Sequence, residues 1–384
     1  MKIDQPWLND KATQKVCSVL TDAGAEALFV GGCVRNALLE APVSDMDIAT
    51  NIEPRHVMDL AKAAGIKAIP TGIDHGTVTL VERGIPHEIT TFRKDVATDG
   101  RRAVVVFSKD IAEDAKRRDF TMNALYARPD GTVVDPLGGI TDLRARRVRF
   151  IGTAEHRIRE DYLRSLRFFR FHAWYGDHDE GFDANGLAAI AANLDGLEGL
   201  SRERVGAELL KLLAAADPAP AVAAMRHCGV LGVILPGSDD RALAPLVHLE
   251  GGMAPDGIRR LAALGGEDVA ERLRLSKAQA AALEDLRKEA AGTKGPRELG
   301  YHLGAARARD TLLLRAALLE QPPAPGSETE ISKGAEASFP LKARDLMPDL
   351  QGPDLGKAMK RLEGEWIASG FTLSRDELIA RAKG

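Results

Sequence analysis

Along the first 140 residues, short apolar stretches alternate with polar positions and are cut by Gly, Pro and Asp. This pattern predicts strands at Ala27 to Val30, Asp45 to Thr50, Gly76 to Glu82, Pro86 to Phe92 and Ala103 to Phe107. From about Thr153 onward, Leu and Ala recur every three or four residues among Arg and Glu, with almost no β-branched runs, so helices are predicted there. The expected architecture is a small head of mixed helices and strands followed by a helical remainder. Breaks in the helical part fall near Asp217 to Pro220, Pro236-Gly237 and Gly251 to Pro255. The plainest break is Gln321-Pro-Pro-Ala-Pro-Gly326. No repeat of solenoid period is present.

At 384 residues the chain exceeds the usual span of one hydrophobic core, and two to four domains are expected. With 45% hydrophobic and 28% charged residues, there is ample apolar material for sizeable cores. No run of 18 apolar residues occurs, and Met1 to Asp10 has neither a basic nor an apolar leader region, so the expected location is the cytoplasm, away from membranes. Three scattered cysteines, Cys17, Cys33 and Cys228, argue against a disulfide framework or a Cys-rich zinc site.

A net charge of -4 would by itself speak against a nucleic-acid partner. The distribution changes that expectation. Between Arg144 and Arg170 nine arginines stand against Glu155, Glu160 and Asp161, a local excess of six positive charges and a candidate anion-binding surface.

Four segments carry recognisable chemistry. Leu28-Phe-Val-Gly-Gly-Cys-Val-Arg35 reads as a strand entering a turn at Gly31 and Gly32, then a helix opening at Asn36-Ala-Leu-Leu39. Such a turn can bring backbone N–H groups against a phosphate, with Arg35 adding a charged fork. Ser44-Asp-Met-Asp-Ile-Ala-Thr50 places Asp45 and Asp47 two apart, which on a strand is one face. Paired carboxylates repel unless a cation lies between them, and oxygen ligands suit Mg²⁺. Glu88, in the alternating stretch Pro86 to Arg93, is the candidate third acid, with Glu82 and Asp74 as rivals; His75 reads as a structural turn residue. In Lys116-Arg-Arg-Asp-Phe-Thr-Met-Asn-Ala124, bracketing a helix start, Arg118 can clamp a triphosphate, while Asp119 and Asn123 offer partners for ribose hydroxyls. In Glu160-Asp-Tyr-Leu-Arg-Ser-Leu-Arg-Phe-Phe-Arg170, Asp161, Arg164, Arg167 and Arg170 recur every third residue and predict a polar stripe on one helix. A surface ion-pair ladder is the bland alternative for that stripe.

In this order, and with the Asp99-Gly-Arg-Arg102 loop and Ser201-Arg-Glu-Arg204, these motifs resemble the class II CCA-adding enzyme and bacterial poly(A) polymerase family over residues 25 to 215. The resemblance implies an α+β, seahorse-like molecule with a polymerase-β-type nucleotidyltransferase head (1–143) and all-helical neck (144–216), body (217–321) and tail (322–384). It implies addition of CCA to a tRNA 3′ end from CTP and ATP by two-metal chemistry with Mg²⁺, and no obligate protein partner is expected. Asp45 and Asp47 would hold the metals, Gly32, Arg35 and Arg118 would meet the triphosphate, Asp161 and Arg164 would read the base, and Arg167 and Arg170 would support the nucleotide. An acceptor beside a donor complements the amino group and ring nitrogen shared by cytosine and adenine, and mismatches uracil and guanine.

Two departures stand out. Asn36 occupies a position where the family commonly has Asp, and Ala103 one where Pro often follows the loop; neither is expected to touch the chemistry. A-adding or poly(A) synthesis remains the alternative activity, although His75-Gly-Thr-Val-Thr79 and the intact Asp99-Gly-Arg loop favour CCA addition to tRNA. A silent RNA-binding protein on the same scaffold is disfavoured by the presence of both Asp45 and Asp47.

Overall fold

The computed structural model describes residues 1–99, 102–347 and 349–382. The Gly100-Arg101 part of the Asp99-Gly-Arg loop lies outside the described residues. The chain forms two compact units, Met1–Ser238 with Gly266–Arg274, and Asp239–Gly265 with Leu275–Gly384. No helix among the described residues is long and apolar enough to cross a membrane.

The first unit begins with α1 (Lys11–Thr21), whose N-terminus is capped by Asp10, the carboxylate accepting from the N–H groups of Ala12 and Thr13. Five strands follow with short helices between them: β1 (Leu28–Val30), β2 (Asp47–Thr50), β3 (Lys67–Gly72), β4 (Thr77–Glu82) and β5 (Ile85–Thr91). The helices among them are α2 (Gly32–Leu38) and α3 (Pro54–Ala63). Strands β6 (Arg93–Asp99) and β7 (Arg102–Phe107) form a separate hairpin, and β8 (Tyr126–Ala127) and β9 (Val133–Val134) complete a seven-stranded sheet of order β3-β4-β5-β2-β1-β8-β9. Strand β2 pairs with β5 in parallel and with β1 antiparallel. Alternation sets the faces: in β4, Val78 and Leu80 are buried while their neighbours are half-exposed. All five predicted strands are present within two residues of their expected ends. Strand β3 was not predicted, because Pro70 interrupts a mostly exposed run; that composition suits its place at the sheet edge.

After α4 (Ile111–Lys116) and α5 (Gly139–Arg144) come α6 (Ala154–Glu160), α7 (Leu163–Tyr175), α8 (Ala184–Ala191) and α9 (Arg202–Leu213). The inner face of α7 carries Leu163, Leu166, Phe168, Phe169 and Phe171. Phe120 and Phe150 meet this face, with ring centroids 5.0 Å apart from each other and Phe120 also 5.0 Å from Phe171. Each such ring removed from water contributes about 1.5–3 kcal/mol, so this cluster fixes α7 against the segment that carries Arg118 and Asp119.

His172 on α7 is buried, its ring stacked 3.6 Å from that of Phe182. Burial, with the nearby His178 adding to it, pushes its pKa down from 6.5 to about 4, so the folded protein holds it neutral. Between pH 6.5 and 4 the unfolded chain binds a proton that the folded one refuses, and stability should therefore fall across that window by up to about 3 kcal/mol. Urea unfolding of His172→Phe is expected to lack this acid sensitivity; equal pH dependence in variant and wild type would contradict the assignment.

The second unit is helical. The predicted break at Gln321 to Gly326 is a turn between helices Pro296–Leu319 and Ser327–Glu336, which pack backbone to backbone within that unit: a Cβ on Gly300 would lie 2.2 Å from the Ile331 carbonyl oxygen. Arg259 and Arg260 are buried beside the buried carboxylate of Glu250, at 2.8 and 2.7 Å. A second apolar centre gathers Leu362, Trp366 and Leu378 around Tyr301 and Phe371.

Candidate active site

Strand β1 is buried and is followed by Gly31, which adopts φ 72° and ψ -119° and donates its N–H to the Leu125 carbonyl. Only glycine takes that conformation readily, and a Cβ there would sit 3.3 Å from Nη1 of Arg118. Helix α2 opens at Gly32, four residues before the expected start at Asn36, so Arg35 lies inside the helix. Its first-turn N–H groups, as at any helix start, have no acceptor in the helix itself.

Asp47 opens β2, and the parallel register sets it directly beside Glu88 on β5. Of the three candidate third acids, Glu88 is the one at this position; Glu82 pairs with Lys15, and Asp74 lies in a short turn at Ile73–His75. Asp45 precedes the strand, exposed, its carboxylate accepting from the Ser44 hydroxyl at 2.9 Å. Of the two aspartates, only Asp47 lies within the strand. Burial, the Glu88 charge and the Asp45 charge together push Asp47 up to about 6 against the opposing pull of Arg118.

Above these carboxylates opens a cleft of about 460 Å³. Gly31, Gly32, Arg35, Asp47, Arg118, Asp119, Asn123, Asp161, Arg164 and Arg167 all line it; Asp45, Glu88 and Arg170 do not. Leu163, Phe171 and Arg204 also line it, with no role assigned to them from sequence.

The segment Lys116 to Ala124 runs from the last residue of α4 through a single helical turn at Thr121–Asn123, rather than bracketing a helix start. Its order comes from two buried acids. Asp114 holds Arg117 at 2.7 Å, Arg118 at 3.1 Å and the Tyr126 hydroxyl at 2.7 Å. Asp119 accepts from the Phe120 N–H, the Asn123 amide and the Arg167 guanidinium. Burial would raise its pKa, but the Arg167 charge and these hydrogen bonds outweigh it and hold it at about 2. Each Asp119 oxygen accepts two of these bonds, and the residue braces Asn123 and Arg167.

The expected stripe is also reorganised. Asp161 terminates α6 in an extended conformation and is not on α7. Its carboxylate caps α7 through the Leu163 N–H and pairs with Arg204 of α9 at 2.5 Å. Arg164 reaches Glu160 and the carbonyls of Arg157 and Arg117, and Arg170 reaches the buried Glu208 at 2.5 Å. These pairs tie α7 to other elements, unlike a ladder along one helix. Acids outside the Arg144 to Arg170 segment offset part of its positive excess: Arg149 is paired with Asp142, Arg167 with Asp119 and Arg170 with Glu208.

The departure at Asn36 does touch the site, contrary to expectation. Its carboxamide oxygen accepts from Nε and Nη2 of Arg35, at 3.1 and 2.9 Å.

Residues 27–149 match the family described as Poly A polymerase head domain, and residues 182–241 that described as Probable RNA and SrmB- binding site of polymerase A. Along its whole length the chain is 32% identical to the mouse protein named CCA tRNA nucleotidyltransferase 1, mitochondrial, covering 93% of it. The chain belongs to the class II CCA-adding enzyme and bacterial poly(A) polymerase family. A CCA-adding enzyme of Streptococcus pyogenes serotype M4 is 43% identical over 241 residues, 62% of this chain and 58% of that protein. The crystal structure of the Bacillus stearothermophilus CCA-adding enzyme in complex with CTP matches with a TM-score of 0.78 at 27% identity, over 99% of this chain and 98% of that one. Family membership accounts for the α+β head with helices beyond it, and for the order of the motifs along the chain.

Proposed function

We infer that this protein is a nucleotidyltransferase that adds CCA to the 3′ end of tRNA, using CTP and ATP and releasing pyrophosphate. The observation that carries this is the match, over 99% of the chain, to a CCA-adding enzyme in complex with CTP, with an arginine-lined cleft above Asp47 in this chain. In the proposed arrangement the Gly31-Gly32 turn, Arg35 and Arg118 hold the triphosphate, supported by their common cleft. Asp161 and Arg164 read the base edge, and Arg167 and Arg170 fix α7 so that this pair keeps its place.

The carboxylates Asp45 and Asp47, with Glu88, would hold divalent metal, for which Mg²⁺ is our assignment. Among the described residues no three acidic, imidazole or thiol side chains already form a ligand-like cluster. The donor set still fits a hard cation: Asp47 is raised partly by the charges of Glu88 and Asp45, a repulsion that a cation would relieve. A bound metal there supplies charge neutralisation at the triphosphate and activation of the RNA 3′-hydroxyl. No covalent intermediate is needed. Cys33, the thiol nearest these acids, donates to the Val30 carbonyl, and burial pushes it up to about 11, so it is no nucleophile at neutral pH.

The four-part division at 1–143, 144–216, 217–321 and 322–384 is proposed on the family resemblance. Free cysteines suit a reducing compartment, and we place the protein in the cytoplasm; the mouse relative is named as mitochondrial. The activity is tested with tRNA lacking CCA, given CTP alone, ATP alone or both. The expected products are two added cytidines, no addition, and CCA; chain growth on ATP alone would instead make the protein an A-adding enzyme or poly(A) polymerase.

A further inference from the structure

Tyr126 on β8 is fully buried, and its ring packs in an apolar cluster with Leu28, Val30, Ala49 and Phe92. A phenylalanine would fill that space as well, so packing gives no reason for the hydroxyl. The hydroxyl lies where two charged groups meet. It donates to Oδ2 of Asp114 at 2.7 Å and accepts from Nε of Arg118 at 3.2 Å, while Nη2 of Arg118 reaches the same Asp114 oxygen at 3.1 Å. These three contacts close a ring around one edge of the guanidinium, whose carbon also lies 5.3 Å from the centroid of the Tyr126 ring.

The ring decides which part of Arg118 is left over. Nε and Nη2 are engaged, whereas Nη1 donates to nothing among the described residues. Nη1 is also the atom that faces the Gly31 turn, 3.3 Å from where a Cβ on Gly31 would stand. Arg118 lines the cleft, and its charge opposes the rise in the pKa of Asp47. That charge is not cancelled. Asp114 is one carboxylate shared by two guanidinium groups, Arg117 at 2.7 Å and Arg118 at 3.1 Å, and neither pairs with another acid among the described residues. Burial would raise the pKa of Asp114, but the charges of Arg118 and Arg117 outweigh it and keep the carboxylate ionised, so the trio carries one net positive charge.

We propose that Tyr126 is a positioning residue for Arg118: its hydroxyl, oriented by Asp114, fixes the Nε edge of the guanidinium and so presents Nη1 to the phosphate tail of the incoming nucleotide. This rests on the reading of the cleft as a nucleoside triphosphate site. Without the hydroxyl, Asp114 keeps both arginines, but Nε of Arg118 loses its acceptor and the guanidinium can turn about its remaining bond to Asp114. The phosphate tail is common to CTP and ATP, so both nucleotides should suffer alike.

The test measures equilibrium binding of CTP and of inorganic pyrophosphate to the wild-type protein, Tyr126→Phe, Arg118→Ala and the double variant, with steady-state kinetics on the first two. Tyr126→Phe keeps the ring in its cluster and is expected to weaken both ligands about fivefold. It should raise KM for CTP and ATP by the same factor and leave kcat within about twofold. Arg118→Ala should weaken both ligands about tenfold or more, and adding Tyr126→Phe to it should change nothing further, because the hydroxyl acts only through that arginine. Binding and KM within about twofold of wild type in Tyr126→Phe, or the same fivefold loss repeated in the Arg118→Ala background, overturns the proposal. Unchanged binding in Arg118→Ala would instead overturn the underlying reading of the cleft.

Discussion

Asp47→Ala is expected to lower nucleotide incorporation by on the order of 10³-fold with CTP and ATP alike, while tRNA affinity stays within about twofold of wild type. The residue opens β2 beside Glu88, lines the cleft, and carries a carboxylate raised to about 6 by burial and then by the charges of Glu88 and Asp45. Folding alone gives no reason to keep such a group, because it is desolvated and surrounded by like charge. In EDTA the variant is therefore expected to melt no lower than the wild-type protein. Loss of activity without loss of stability marks a residue retained for chemistry. Turnover within tenfold of wild type, or a clear fall in melting temperature, would remove Asp47 from the metal site.

Arg164→Ala should change which nucleotide is accepted more than how tightly the triphosphate is held. With its side chain 13% exposed, Arg164 lies against the cleft and is held by Glu160 and by the Arg157 and Arg117 carbonyls. Each oxygen of Asp161, proposed to read the base edge alongside Arg164, already has one donor, and a carboxylate oxygen can accept a second, so the amino group of cytosine or adenine can still be read. Without the arginine, the donor that disfavours the N3–H of uracil is gone. UTP use relative to CTP is expected to rise by about tenfold to a hundredfold in kcat/KM, equivalent to ~1–3 kcal/mol. The variant should also lose some stability, since three internal hydrogen-bonded contacts go with the side chain. An unchanged CTP:UTP ratio alongside that loss would reduce Arg164 to a structural brace.

Much of this site was legible because its parts are local. A buried strand, two glycines and an arginine within eight residues, and two aspartates two apart, signal their chemistry whatever surrounds them. Five strands and the helical remainder followed from periodicity alone. What stayed hidden was pairing between distant elements. Glu88 could be ranked above Glu82 and Asp74 only weakly, because parallel register between β2 and β5 leaves no mark in either segment. Arg204 stood in a recognised motif without a role, since its partner Asp161 is 43 residues away. Asp114 had a local signal that could have found it: an acid three and four residues before Arg117 and Arg118 on a short helix. Asn36 was misjudged although its hydrogen-bond partner, Arg35, is its neighbour in sequence, because the sequence does not show that the side chain turns back onto that arginine.

The central claim, that this cleft builds a defined CCA end without a template, is tested most directly by letting the nucleotides compete. The protein is incubated with tRNA ending before the CCA sequence and with CTP, ATP, GTP and UTP together, and the 3′ ends are then sequenced. The expected product is tRNA ending in CCA, with no uridine or guanosine and no growth beyond the terminal adenosine. Runs of adenosine, mixed additions, or unextended tRNA would contradict it.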